Sequence, residues 1–120
     1  MDFPAVAFER MKESQTLFEN DYHHGAIYLI GYALEIKLKE LLQKKKGRYK
    51  QIHNLQELFH DCGFNYRFYR SDPWEGKFID IWHVEMRYRV NDLAGMPPEE
   101  IGQIYRAAGR LIGRINKRMV

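Results

Sequence analysis

The segment from Tyr22 to Lys46 constrains the fold more than any other part of the chain. It holds no proline, and Ile27, Ile30, Leu34, Leu38 and Leu41 recur at helical spacing. Leu29, Tyr32, Ala33 and Ile36 carry the apolar surface around the rest of the circumference. A helix that is oily on most sides has to be surrounded, so this one is expected at the centre of a bundle. Its end is written in Lys44-Lys45-Lys46-Gly47: cations against the negative helix terminus, then a glycine to stop it.

The rest of the chain supplies the surrounding helices. A first is expected over 4–19, opened by Pro4, with Ala7, Met11, Ser14 and Phe18 on one face. A short third runs over 54–62, with Asn54 as cap and Glu57 placed to reach back to it. A fourth runs over 73–89, with Asp72 capping, Pro73 opening and Glu75 completing the box. The fifth, 98–117, starts on Pro98-Glu99-Glu100 and repeats Ile101, Ile104, Tyr105, Ala108, Leu111, Ile112 and Ile115. Residues 65–70 are expected to be a loop. Short connections favour antiparallel neighbours, hence an all-α, up-and-down bundle of four to five helices in a single domain, 1–120.

Composition closes several other routes. The one cysteine, Cys62, cannot form an internal disulfide. No stretch approaches the roughly 18 uninterrupted apolar residues of a membrane span. The first residues lack a basic region followed by an apolar run, so no secretory signal is expected and cytoplasmic residence follows. The net charge of +3 is modest but uneven. Acids dominate residues 1–21, whereas residues 101–120 carry Arg106, Arg110, Arg114, Lys117 and Arg118 and no acid. Such asymmetry reads either as a surface for an anionic partner or as two neighbouring helices with complementary faces.

Three segments, taken in order, resemble the HEPN family, helical bundles named for higher eukaryotes and prokaryotes nucleotide-binding proteins. They are the small-residue and Glu-Lys pattern from Gly25 to Lys39, the His53-Asn54-Leu55 opening of the short helix, and the Arg87-Tyr88 end of the fourth helix. The resemblance implies the same bundle, frequent homodimers, and partners that include RNA, a nucleotide or a nucleotidyltransferase-type protein. Many such proteins are ribonucleases or toxins of toxin–antitoxin pairs, marked by an arginine, four to six intervening residues and then a histidine. After Arg87 those places hold Asp92, Leu93 and Ala94, and after Arg89 they hold Ala94, Gly95 and Met96. Arg48 and His53 do have the spacing, but in the loop before the short helix, where the match reads as chance. The resemblance therefore points to a non-catalytic binding protein. A ribonuclease with a displaced catalytic set and a purely structural dimerisation module are the alternatives.

The candidate residues follow from chemistry. Glu35 sits on the oily helix four residues before Lys39, and an isolated buried charge is costly, so it needs partners. Arg87 is the expected one, either as an internal ion pair or as the lining of a polar groove for phosphate. His83 and Arg87 share a face and would suit proton transfer and phosphate binding, or equally a pair on a helix surface. Arg106, Arg110 and Arg114, continued by Arg118, form a ladder that either holds phosphates or is merely solvated. His23 and His24 are adjacent and diverge by about 100° around a helix, so no metal site is expected, nor any cofactor. Gly102, Gly109 and Gly113 mark one edge of the last helix where another backbone is expected close by, either the second helix near Gly31 or a second subunit.

Overall fold

The computed structural model describes residues 2–49, 51–88 and 93–119, with Arg87 and Tyr88 described in their backbone alone. Its elements are α1 (Phe3–Glu19), α2 (His23–Lys46), α3 (Leu55–Asp61), α4 (Tyr66–Tyr69), α5 (Pro73–Ile81), a 3-10 helix (Val84–Tyr88) and α6 (Pro98–Arg118). No strand occurs among the described residues.

The central position of α2 follows from its circumference. Thirteen of its residues are buried, from Ala26 to Leu42. Helix α1 lies along one side of it and α6 along another, while α5 packs on α6. The core joins Ile27, Leu34 and Leu38 of α2 to Leu58 and Phe59 of α3, Phe78 of α5 and Ile104, Leu111 and Ile112 of α6. Full burial of such side chains contributes about 1.5–3 kcal/mol each. Helix α2 stops at Gly47, whose φ of 71° is open to glycine without steric cost. Helices α1 and α6 meet where Phe18 stacks on Tyr105, centroids 4.3 Å apart, beside a 3.1 Å hydrogen bond between Ser14 and the Tyr105 hydroxyl.

Two elements differ from the reading of the sequence. The fourth helix was expected to reach residue 89, but α5 ends at Ile81. The backbone turns extended at Trp82 (φ −78°, ψ 132°), and the indole lies on Gly31 of α2. There Trp82 Nε1 donates to the carbonyl of Tyr28 at 3.0 Å. An indole whose N–H finds a partner inside the core outweighs two more turns of regular helix. The second difference is α4, where a loop was expected. Asn65 caps it by accepting from the Arg67 amide at 3.0 Å. Four residues are too few to show a helical period in sequence.

The edge of small residues on α6 is also placed differently from one of its two expectations. Gly31 receives Trp82 rather than α6. A Cβ on Gly109 or Gly113 would meet nothing within 4 Å, so no backbone of the described residues closes on them. The breaker residues Asn91 and Asp92 lie outside the described residues.

Candidate functional site

Glu35 is the pivot of the site. Its side chain is only 2% exposed on α2, where a bare carboxylate is costly. Lys39, one turn further on and itself buried, donates to it at 3.1 Å. His53, in the connection leading into α3, brings Nδ1 to 3.1 Å from both carboxylate oxygens. An ionised carboxylate only accepts, so the proton of this contact belongs to Nδ1, and Nε2 is left for whatever meets the imidazole on its other side. The three residues are joined through the most buried of them: Glu35 lies between the buried cation of Lys39 and an imidazole whose side chain is 48% exposed.

His53 opens on a cleft of about 510 Å³. Asn54 and Leu55 continue its wall on the α3 side, and Ile79, Asp80, Trp82, His83 and Glu85 form the opposite wall. The break in the helix at Trp82 creates this second wall. By leaving the α5 axis to cover Gly31, the chain brings His83 and the start of the 3-10 helix beside His53 instead of carrying them onward along a helix. Asp80 is held by Arg70 at 2.6 Å, which fixes that edge of the cleft. Two imidazoles in one concave space, one of them oriented by a carboxylate, can bind an anionic group or pass protons.

The expected site residues are distributed as follows. Glu35 and Lys39 are paired as their spacing suggests. His83 lines the same cleft as His53. The pairing of Glu35 with Arg87, and the role of the Arg87 side chain altogether, lie outside the described residues. The arginine ladder of α6 is elsewhere and is divided. Arg114 makes hydrogen bonds of 2.6 and 2.9 Å to Glu75 and one of 2.7 Å to the Phe68 carbonyl. Arg110 holds Asp72 at 2.8 Å. Arg106 is exposed beside the groove formed with Met11, Phe18 and Tyr105. These ion pairs run from α6 to the start of α5, while the acids of α1 pair locally, Arg10 with Glu13 and Lys12 with Glu9.

Sequence reasoning named His53 as the opening of the short helix and set aside its spacing from Arg48, but gave it no part in a site. One signal pointed to it: Glu35 had to have partners, and a histidine just before a capped helix was available. Its spacing from Arg48 is not what places it there. Arg48 lines a different pocket of about 180 Å³ with Lys46, Tyr49 and Asp61.

Cys62 offers no nucleophile. It is buried, and burial above all pushes its thiol up to about 11, against the lowering influence of Lys45. Among the described residues no group of three or more His, Cys, Asp or Glu side chains is placed to hold a metal ion, and no helix is long and apolar enough to cross a membrane.

An all-helical bundle built around one buried rod, with a polar cleft between the short third helix and the broken fourth, defines the class of protein. The HEPN domain family model matches residues 5–118, nearly the whole chain, and the chain belongs to that family. Comparison with curated proteins finds no match, and comparison with solved structures finds none either.

Proposed function

We propose that this HEPN domain is a binding protein whose cleft between His53 and His83 takes the phosphate of a nucleotide or of RNA. The observation that carries this reading is the contact of His53 with Glu35, which holds the imidazole in one tautomer and one orientation at the cleft wall. Lys39 balances the buried carboxylate, so the imidazole is presented without leaving an unpaired charge behind it. Titration of the protein with a labelled nucleoside triphosphate and with a short RNA tests it. Wild type binds and His53→Ala and His83→Ala do not; equal binding by all three proteins ends the proposal.

The same contact favours a second reading, ribonuclease activity with a displaced catalytic set. A base oriented by a carboxylate and a second imidazole on the facing wall are the parts that acid–base cleavage of RNA needs. An RNA-cleavage assay separates the two readings. Cleavage by wild type that disappears in both histidine variants assigns an enzyme; intact RNA with retained binding assigns a binding protein.

We also infer that the protein works as a homodimer, as HEPN domains often do, with a nucleotidyltransferase-type protein as a further partner. The open edge at Gly109 supports a second subunit, since it adjoins a groove lined by Met11, Phe18, Ile30 and Tyr105. Light scattering of the purified protein decides this. A monomer at micromolar concentration removes the dimer from the account.

A further inference from the structure

We propose that the end of the bundle formed by Phe64, Phe68, Arg118, Lys45 and Tyr66-Arg67 is a second binding surface, one for single-stranded nucleic acid. It shares no residue with the cleft at His53 and stands independently of it.

The ends of α2 and α6 bring cations to one aromatic stack, and α4 carries a further cation beside its own exposed tyrosine. Phe64 and Phe68 lie nearly parallel, centroids 4.0 Å apart and planes 10° from coincident. Arg118, at the end of α6, places its guanidinium 5.5 Å from the first ring and 5.4 Å from the second. Lys45, at the end of α2, places Nζ 5.2 Å from Phe64. On α4, Arg67 stands 6.0 Å from the ring of Tyr66, which is 58% exposed. Both Phe rings are themselves half-buried, which fixes them, while Lys45, Arg67, Lys117 and Arg118 are exposed.

The arginines of α6 divide here by chemistry. Arg110 and Arg114 are used by the carboxylates of Asp72 and Glu75. Arg118 is met by rings and, among the described residues, by no carboxylate, so its charge is available to a ligand. Cations near helix ends often do no more than complement the backbone dipole. That explains Arg118 alone, and a 2.7 Å hydrogen bond from Nζ to the Cys62 carbonyl holds Lys45, but neither accounts for both cations meeting on one ring. A guanidinium held beside aromatic faces loses little freedom when a phosphate arrives. The exposed Tyr66 ring then offers a face on which an unpaired base stacks. A duplex hides its base faces, and an acidic peptide has none. Cations interleaved with an open ring therefore fit a single strand best.

The test is fluorescence anisotropy at several salt concentrations. The probes are a labelled oligouridylate, its oligothymidylate counterpart and a duplex of the same length. Wild type is expected to bind single strands more tightly than the duplex. The double variant Arg67→Gln/Arg118→Gln should lose on the order of tenfold in affinity, with a salt slope flatter by about 0.7 for each cation removed. Tyr66→Ala should lose at least about fivefold, the low end for one stacked base. Circular dichroism is expected to leave all these folds unchanged, since the sites are exposed. Binding of the uridylate alone, the thymidylate alone or both supports the proposal and tells whether the sugar is read. No binding by wild type, a duplex bound as tightly as the single strand, or full affinity in the double variant overturns it. So does a loss of binding confined to His53→Ala, which would assign the strand to the cleft.

Discussion

Arg114 clasps Glu75 through two hydrogen bonds, 2.6 and 2.9 Å long, joining the last helix to the first turn of α5. The glutamate is almost wholly buried and also accepts from the Ser71 hydroxyl at 2.7 Å and the Ser71 amide at 3.2 Å. Removing the carboxylate as Glu75→Ala leaves Arg114 facing a gap. The expected loss lies toward the low end of the roughly 3–5 kcal/mol seen when a buried pair is broken, because Arg114 itself reaches solvent. Urea unfolding measures it, and a loss under about 1 kcal/mol would show that the clasp is idle.

The same carboxylate sets an acid limit on stability. Burial alone pushes Glu75 up, but the hydrogen bonds from Arg114 and Ser71 outweigh it and hold the group below its ordinary value. A group depressed on folding stabilises the protein above its unfolded value of about 4.5 and ceases to do so as pH falls through the lower, folded value. Asp72, beside Arg110 and the helix-capping amides, is lowered too and acts in the same direction. Unfolding midpoints should therefore drop below about pH 4.5 in wild type, and less steeply in Glu75→Gln. Parallel curves for the two proteins would contradict this.

Two glycines should respond in opposite ways to the same substitution. Gly31→Ala puts a Cβ about 2.0 Å from Trp82 Nε1, so the indole has to leave its place and its bond to Tyr28. The upper end of the usual overpacking cost, about 3 kcal/mol, is expected. Gly109→Ala meets nothing within 4 Å and should stabilise the monomer by about 0.5–1 kcal/mol. If Gly109 faces a second subunit, the same change weakens self-association, which sedimentation would detect.

Cys62 should resist alkylation. With its thiol pushed up to about 11 by burial, and its Sγ donating to the Leu38 carbonyl at 3.4 Å, iodoacetamide at pH 8 reacts only as fast as the fold opens. Rapid labelling of native protein, as fast as in denaturant, would refute this.

His53→Ala and Glu35→Ala should separate binding from folding. The first removes an exposed imidazole and one hydrogen bond, so it costs about 1 kcal/mol. The second strands Lys39 in the core beside no anion and costs several times more, about 3–5 kcal/mol. Ligand titration of the cleft should fail in His53→Ala while its thermal midpoint stays near wild type.

The bundle was legible because α1, α2 and α6 each repeat an apolar face over many turns, and caps such as Asn54 and Asp72 announce the shorter helices. What the sequence hid depends on contacts far apart in the chain. Trp82 ends α5 because Gly31, on another helix, makes room for it. Glu75 resembles a capping-box residue by its spacing, yet its oxygens go to Ser71 and Arg114. The ladder of arginines looks uniform on a helical projection, but the partners that divide it come from α4 and α5. His53 was given no part in a site for the same reason. A motif pairs it with Arg48, whereas folding pairs it with Glu35.

The seat of Trp82 on Gly31 has a consequence for any molecule that enters the cleft. One face of that wall is the floor of the bundle itself, so an occupant cannot push it aside without prising the indole off the innermost helix. That wall is therefore braced in advance, and with Trp74 replaced by phenylalanine the emission of Trp82 would report both a change of environment at the cleft and exposure when the whole bundle melts.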